Sequence, residues 1–134
     1  MDAAGTVRAY YDALRAGKPL YPFFHEAETT VKFGIGETLR GHEAVREGIR
    51  DQTATTSDWA VESSDLVVGT DGPSAWFADR VFMGWTDEAR GERLEFDTRW
   101  SGSLRRVDDG WAFAGMHVSC PVRDPERATG GVTR

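Results

Sequence analysis

The chain has 134 residues and a mass of 14.8 kDa, which is enough for one domain with its own core and too little for two. Hydrophobic residues make up 40% and charged residues 28% of it, so global disorder is excluded. The single cysteine, Cys120, excludes an intrachain disulfide and a zinc site built on thiolates. No apolar run approaches the roughly 20 residues that cross a bilayer, and no signal peptide is visible. We therefore expect a soluble cytoplasmic protein without membrane contact.

Acidic residues outnumber basic residues by 22 to 16, which gives a net charge of −6. A nucleic-acid-binding protein normally has the opposite sign or a basic stripe, and here Arg105-Arg106 is followed directly by Asp108-Asp109. Nucleic acid is therefore not an expected partner. Nearly all of the bases are arginine, a bias that a GC-rich genome or adaptation to high salt would produce.

The first half of the chain has helical periodicity. Residues 2–17 are predicted to form a helix, because apolar residues recur at spacings of three and four and Gly17 follows the last of them. The pattern then predicts a short helix over 19–26, a strand over 29–35 and a helix over 41–53.

After residue 58 the hydrophobic period changes to two, which is typical of strands. The predicted strands are 59–68 with an interruption, 75–85, 94–107 and 111–120. Helices followed by an antiparallel meander predict an α+β domain in which the helices cover one face of a curved sheet. We expect this domain to span residues 1–122 and a flexible tail to occupy residues 123–134.

Three stretches, in this order, resemble the SnoaL-like branch of the nuclear transport factor two-like superfamily. They are residues 7–17, residues 23–45 with Arg40-Gly41 before the third helix, and residues 104–119 with Gly110-Trp111 followed by His117 and Ser119. The resemblance implies a cone, in which three N-terminal helices pack on the concave face of a strongly curved antiparallel (mixed) sheet. It implies no single activity, because the superfamily includes isomerases, cyclases, dehydratases and assembly domains.

The last hairpin carries four candidate ligand-binding residues, Asp97, Arg99, His117 and Ser119. If residues 108–110 form a three-residue loop, Arg99 lies opposite Ser119, and the four side chains share one face. A two-residue turn would shift the pairing by one and separate them. On one interpretation this face is the wall of a pocket inside the cone, where Arg99 holds an anionic or carbonyl group and His117 transfers a proton. On the other, these residues satisfy one another in the core or across a dimer interface.

Tyr10 is a fifth candidate ligand-binding residue. In the ketosteroid isomerases of this superfamily a tyrosine of the first helix donates to the substrate oxyanion, and Tyr10 is the matching position. A core tyrosine is the alternative. The catalytic aspartate of those isomerases corresponds to Phe33, so the resemblance does not extend to the base. Asp79, Glu95 and Asp97 are candidate acids for a cyclase-type reaction, and no motif selects among them.

Other chemistries lack their motifs. There is no phosphate-binding G-x-x-x-x-G-K-[ST] loop and no G-x-S-x-G nucleophile. His25, His42 and His117 lie on three separate predicted elements without metal-ligand spacing. We therefore expect no metal and no cofactor. Most of the five tryptophans are expected in the core, and one or two are expected to line an apolar cavity.

Two hypotheses follow from these residues. The first is a protein that binds a hydrophobic, oxygenated small molecule, with cyclisation, isomerisation or hydration as candidate activities. The second is a non-catalytic association module similar to that of calcium/calmodulin-dependent kinase. In both, we expect a homodimer that forms through the sheet.

Overall fold

The computed structural model describes residues 1–121, and the tail predicted over 123–134 lies outside them. Within that range the chain forms two α-helices, one 3₁₀ turn and seven strands. The helices are α1 (Ala3–Ala16) and α2 (His42–Thr55), and the 3₁₀ turn is Tyr21–Phe23. The strands are β1 (Val31–Gly34), β2 (Glu37–Arg40), β3 (Thr56–Ser63), β4 (Val67–Asp71), β5 (Ser74–Asp87), β6 (Glu92–Val107) and β7 (Gly110–Ser119).

All seven strands belong to one mixed, curved and unclosed sheet with the order β2-β1-β7-β6-β5-β3. β3 and β4 pair with different halves of β5. Every pairing is antiparallel except that of β1 with β7, which is parallel. The α+β class and the curved mixed sheet are therefore confirmed.

The expectation of three N-terminal helices is wrong, because only α1 and α2 are α-helical in the described part of the chain. The segment predicted as the second helix forms only the turn Tyr21–Phe23. Pro22 has no N–H to contribute to a helical ladder. Phe24 is already extended, with φ −99° and ψ 140°, and forms a parallel bridge with Phe113 of β7. The chain thus leaves helical geometry in order to run beside the sheet.

The apolar stripe of α1 attaches this helix to the sheet. Asp2 caps its start, and Gly17 ends it in the left-handed region at φ 68°. Tyr10 and Tyr11 are 1% and 2% exposed, and both rings contact Trp100 of β6. We call the sheet face that the helices cover the inner face and the opposite one the outer face.

The β6–β7 hairpin combines the two registers considered from the sequence. Val107 pairs with Gly110, so the turn has two residues instead of three. A bulge at Ala114 on β7 then shifts the pairing back by one residue. Beyond the bulge the pairing is the one that a three-residue loop predicts, with Arg99 opposite Ser119.

The polar side chains of this hairpin lie on the outer face. Trp100 and Val118 are buried on the inner face, whereas Arg99 and His117 are exposed on the outer one. Of the two interpretations of this face, the one that places it on a pocket wall inside the cone therefore does not agree with the structure. The apolar stripe of α1 packs against an apolar sheet face. Burying a guanidinium in that contact without a counter-charge would cost on the order of several kcal/mol.

Candidate ligand-binding site

A hollow of about 260 Å³ lies between the two helices, the β1–β2 hairpin and the inner face of the sheet. Its walls are apolar and come from α1 and four strands: Leu14, Trp59, Met83, Trp85, Trp100 and Val118. Asp51, Gln52 and Thr55 from the last turns of α2 line its open side. The hollow is thus a cavity with one polar rim, the ordinary form of a small-molecule site.

Two tryptophans make a flat wall on one side of the hollow. The rings of Trp59 and Trp85 stack with centroids 4.8 Å apart and planes 19° apart. The Trp59 indole N–H donates to Thr56 Oγ1 at 2.8 Å, which fixes that ring. Phe96 extends the wall behind Trp85 at 5.5 Å. A planar apolar group in the hollow would therefore meet an aromatic surface that is already held in place.

Tyr10 lines the hollow from α1 and is almost fully buried. Phe23, Phe24, Trp100 and Phe113 surround its ring edge-on at 5.3 to 6.1 Å. None of the hydrogen bonds found within residues 1–121 uses its hydroxyl. Burial, followed by a nearby carboxylate on β2, raises the pKa of Tyr10 above its ordinary value of 10.0. At neutral pH the hydroxyl is therefore a protonated donor without a protein acceptor.

The β1–β2 hairpin brings an ion pair into the hollow. Lys32 of β1 is 5% exposed, and its Nζ donates to Oε1 of Glu37 across the hairpin. A Cβ on Gly34 would lie 2.7 Å from that oxygen, so the missing side chain gives the carboxylate its space. This carboxylate is also the one whose charge acts on the pKa of Tyr10. A hydroxyl donor, an ammonium and a carboxylate thus meet among apolar walls.

The sequence-predicted site residues separate into two groups. Tyr10 lies in the hollow, whereas Arg99, His117 and Ser119 line a different depression on the outer face. Asp97 is exposed on β6, two residues from Arg99 on the same strand. The structure therefore brings together three of the five residues and places Tyr10 on the other side of the sheet.

The three candidate acids do not lie in the hollow. Asp79 is 5% exposed and accepts from the Tyr11 hydroxyl at 2.8 Å, from Ser63 at 2.6 Å and from a backbone N–H at 3.0 Å. Glu95 is exposed, 3.6 Å from the Arg93 guanidinium. These bonds satisfy Asp79 as a structural group that ties α1 to β3 and β5.

Sequence reasoning missed Lys32 and Glu37. Phe33, the position compared with the isomerase aspartate, faces His117 with ring centroids 6.2 Å apart, on the outer side. Strand alternation therefore turns its neighbour Lys32 inward. The signal was a lysine in a short β-rich run of a chain that has only two lysines. Strand β2 was not predicted, and Glu37 was interpreted as closing the turn after Gly36, so nothing paired it with Lys32.

Two kinds of site are absent from the part of the chain that the structure describes. No group of three or more His, Cys, Asp or Glu side chains in residues 1–121 is placed to hold a metal ion. No helix in the same range is both long and apolar enough to span a membrane.

The family follows from a comparison with sequence models. The model of the SnoaL-like domain matches residues 4–123, which is nearly the whole chain. The chain belongs to the SnoaL-like family. A search of curated protein sequences finds no match for this SnoaL-like chain.

Solved structures share the fold at low sequence identity. A proposed dehydratase of the NTF2-like family from Streptomyces avermitilis matches with a TM-score of 0.78 and 18% identity, over 90% of this chain and 95% of that one. A ketosteroid isomerase-like protein from Erwinia carotovora atroseptica matches with 0.72 and 18%, over 89% and 93%. A proposed calcium/calmodulin-dependent protein kinase II association domain from Xanthomonas campestris matches with 0.73 and 17%, over 90% and 86%. At these identities the likeness shows the cone fold of the SnoaL-like chain and no activity.

Proposed function

We propose that this SnoaL-like chain binds a hydrophobic, oxygenated small molecule in the inner hollow and catalyses a proton transfer within that molecule. The observation that carries the proposal is the Tyr10 hydroxyl, which has no acceptor within residues 1–121 and lies beside the Lys32–Glu37 pair. Its oxygen is not among the fully enclosed unpaired polar atoms of residues 1–121, so the hydroxyl opens onto the hollow, where a ligand oxygen would supply an acceptor. The side walls of the hollow offer apolar contacts to the rest of the ligand.

The size of the hollow limits the ligand. Its volume of about 260 Å³ is near the lower end of small-molecule sites. The Trp59–Trp85 wall favours a flat body of one or two rings. A ketone, or a carboxylate attached to such a body, would direct its oxygen to Tyr10 and Lys32 while its rings lie on the tryptophans.

The chemistry that fits this arrangement is proton transfer next to the bound oxygen. Two carboxylates line the hollow, and Asp51 is exposed at the open side, whereas Glu37 is half-buried. Glu37 would take a proton from the carbon beside the carbonyl, and Tyr10 with Lys32 would stabilise the negative charge that forms on oxygen. Isomerisation of a ketone, dehydration of a β-hydroxy ketone and aldol-type cyclisation all begin with such a step. Structures of similar fold are described as a dehydratase and as isomerase-like, which agrees with this class.

The proposal is tested with a panel of ring ketones, aromatic carboxylates and steroids. We expect at least one member to raise the melting temperature and to exchange its α-hydrogens for deuterium faster with protein than without. Tyr10→Phe should weaken binding by about tenfold, because one charge-stabilising hydrogen bond is lost. Glu37→Gln should keep binding and lose the exchange.

Tyr11→Phe is the matched control, because Tyr11 is the next residue of α1 and donates to Asp79 outside the hollow. It should lower stability and leave ligand affinity unchanged. Equal loss of affinity in Tyr10→Phe and Tyr11→Phe, or a panel in which no compound raises the melting temperature, would contradict the proposal.

A second proposal concerns association. Trp76 and Val67 are 52% and 58% exposed on neighbouring strands, and the Trp76 ring covers Gly69, where a Cβ would lie 2.3 Å from it. We call these three residues the Trp76 patch. Adjacent exposed apolar side chains favour contact with another apolar surface. One structure of similar fold is described as an association domain. We therefore propose a homodimer that forms through the outer face at the Trp76 patch.

A further inference from the structure

A second depression, of about 460 Å³, lies on the outer face of the sheet, where no helix of residues 1–121 covers it. The side chains that line it from β5, β6 and β7 are Arg80, Arg99, Ser101, His117 and Ser119. Ala78 forms part of the lining, and its small side chain leaves the depression between larger neighbours. Trp100 of β6 contributes to the lining of both this depression and the inner hollow, which lies on the other side of the sheet.

The strand register places these groups in two adjacent rows. In the first row Arg80 pairs with Arg99, and Arg99 pairs with Ser119. In the second row Ala78 pairs with Ser101, and Ser101 pairs with His117. Because the rows are two residues apart on each strand, all of these side chains project from the same face. The hydrogen-bond donors are therefore fixed by the backbone of three consecutive strands.

Within residues 1–121, none of the ion pairs involves either of the two guanidiniums. Arg80 and Arg99 are exposed and directly opposite each other, an arrangement in which like charges repel. The ion pairs found within residues 1–121 join other residues, and neither of these guanidiniums is within 4.0 Å of a carboxylate oxygen there. Arg99 instead donates to Ser119 Oγ at 3.4 Å. Two adjacent arginines without an ion pair among residues 1–121 offer a site for an added anion, even in a chain with net charge −6.

Acidic groups around the depression limit what it can hold. Asp79 lies beneath it, with its carboxylate already bonded to Tyr11, Ser63 and a backbone N–H. Asp65 stands at the rim, and Asp97 has contacts of its own two residues from Arg99. These charges disfavour a polyanion such as a nucleic acid. They leave room for one oxyanion group between the arginines.

We propose that this outer depression binds a single oxyanion group, a phosphate or a carboxylate, of a small molecule. The planar forks of Arg80 and Arg99 donate to two of its oxygens, a geometry that guanidiniums form with both groups. Ser101, Ser119 and the His117 ring supply the remaining donors or acceptors. The site is independent of the inner hollow and would bind its ligand whether or not Tyr10 binds one.

The proposal is tested by titrating the protein with inorganic phosphate and, separately, with acetate, each at constant ionic strength maintained with chloride. Amide NMR shifts should change saturably around Arg80, Arg99 and Ser119. Tighter binding of phosphate would identify a phosphorylated ligand, and tighter binding of acetate a carboxylate. Arg99→Ala should weaken the tighter anion by at least about tenfold.

Arg105→Ala is the matched control, since Arg105 is exposed on the same strand and outside the depression. It should bind as the unchanged protein does. If Arg99→Ala does not fold, Arg99→Lys and Arg80→Ala replace it, because the first keeps the charge but loses the fork; both should weaken binding. The proposal is overturned if neither anion binds saturably or if chloride displaces the bound anion at equal concentration. It is also overturned if Arg105→Ala weakens anion binding as much as Arg99→Ala does. If a dimer covers the depression so that neither anion can bind, that result also counts against the proposal.

Discussion

Tyr10 and Tyr11 are neighbours on α1 that the structure uses in different ways. Tyr11 gives its proton to Asp79, a buried carboxylate that receives two further hydrogen bonds and so is fully accommodated. Tyr10 has aromatic rings around its own ring and no hydrogen bond from its hydroxyl within residues 1–121. One hydroxyl is therefore part of the protein's own bonding, and the other is available to a ligand.

Both tyrosines should make the protein sensitive to alkali. For Tyr11, burial first, then the hydrogen bond to Asp79 and the charge of Asp79, raise the pKa, and for Tyr10 burial and the Glu37 charge raise it. A raised folded pKa means that stability is complete below the unfolded value of 10.0 and falls as the pH rises above it. The loss is about 1.4 kcal/mol per pH unit for each tyrosine.

Urea unfolding between about pH 9 and about pH 12 measures this loss. Tyr10→Phe removes one ionisable phenol, so the free energy of unfolding should fall less steeply with pH in the variant by about 1.4 kcal/mol per unit. The same slope in the variant and the unchanged protein would show that Tyr10 ionises as easily in the folded as in the unfolded chain.

The β1–β2 hairpin is the element that makes the inner hollow polar. Its two-residue turn requires Gly36, whose φ is 70°, and this turn places Lys32 and Glu37 on the same side of the two strands. Gly34 then leaves room for the carboxylate. The ion pair and the space around it therefore both depend on the geometry of this one hairpin.

Gly34→Ala should displace the Glu37 carboxylate with little effect on folding. The added Cβ meets the end of a flexible side chain, which can rotate away, so the free energy of unfolding should change by less than about 1 kcal/mol. Ligand affinity in the hollow should fall by about tenfold, because the carboxylate and its ammonium no longer hold their positions. Thermal shift with a panel ligand measures both effects.

Gly110→Ala is the control for this change. An added Cβ on Gly110 meets nothing within 4 Å, and its φ is not in the left-handed region. Retained affinity in Gly34→Ala, or equal loss in Gly110→Ala, would show that the position of the carboxylate does not matter for binding.

At the scale of the whole molecule, the helices cover only one face of the sheet. The outer face therefore carries the Trp76 patch and the Arg80–Arg99 depression side by side. In a twofold interface a patch contacts the same patch of the second copy. Arginines at the centre would therefore lie against the arginines of that copy and repel them. We accordingly expect the dimer contact to be centred on Trp76 and to leave the arginine pair at its edge.

Light scattering tests the association. The mass should be twice 14.8 kDa, and Trp76→Glu should give the monomer, because a charge at the centre of the contact cannot be solvated there. Thr70→Glu, an exposed change on β4 outside the Trp76 patch, should remain dimeric. A monomer for the unchanged protein, or a dimer for Trp76→Glu, would disprove an association through this patch.

Local patterns in the sequence are sufficient for most of the elements. The apolar stripe of α1 and its capping residues predict that helix, and the pair Val45 and Ile49 predicts α2. The period of two after residue 58 predicts the strands that follow. The predicted second helix fails because Phe24 pairs with β7, a contact between residues far apart in the chain. Strand β2 was not predicted, since a four-residue strand beside a glycine turn has too short a pattern.

The sequence by itself determined the α+β class and the order of most elements, because periodicity and turn residues act over a few positions. The pairing of Arg99 with Ser119 depends on the bulge at Ala114, which no local pattern predicted. Only the tertiary structure decided which strand face turns inward. Alternation separates the side chains of a strand into two sets and leaves open which set is buried. The helices pack on the set that includes Trp100, so Arg99 and His117 face solvent. Lys32 lies beside Tyr10 in the hollow.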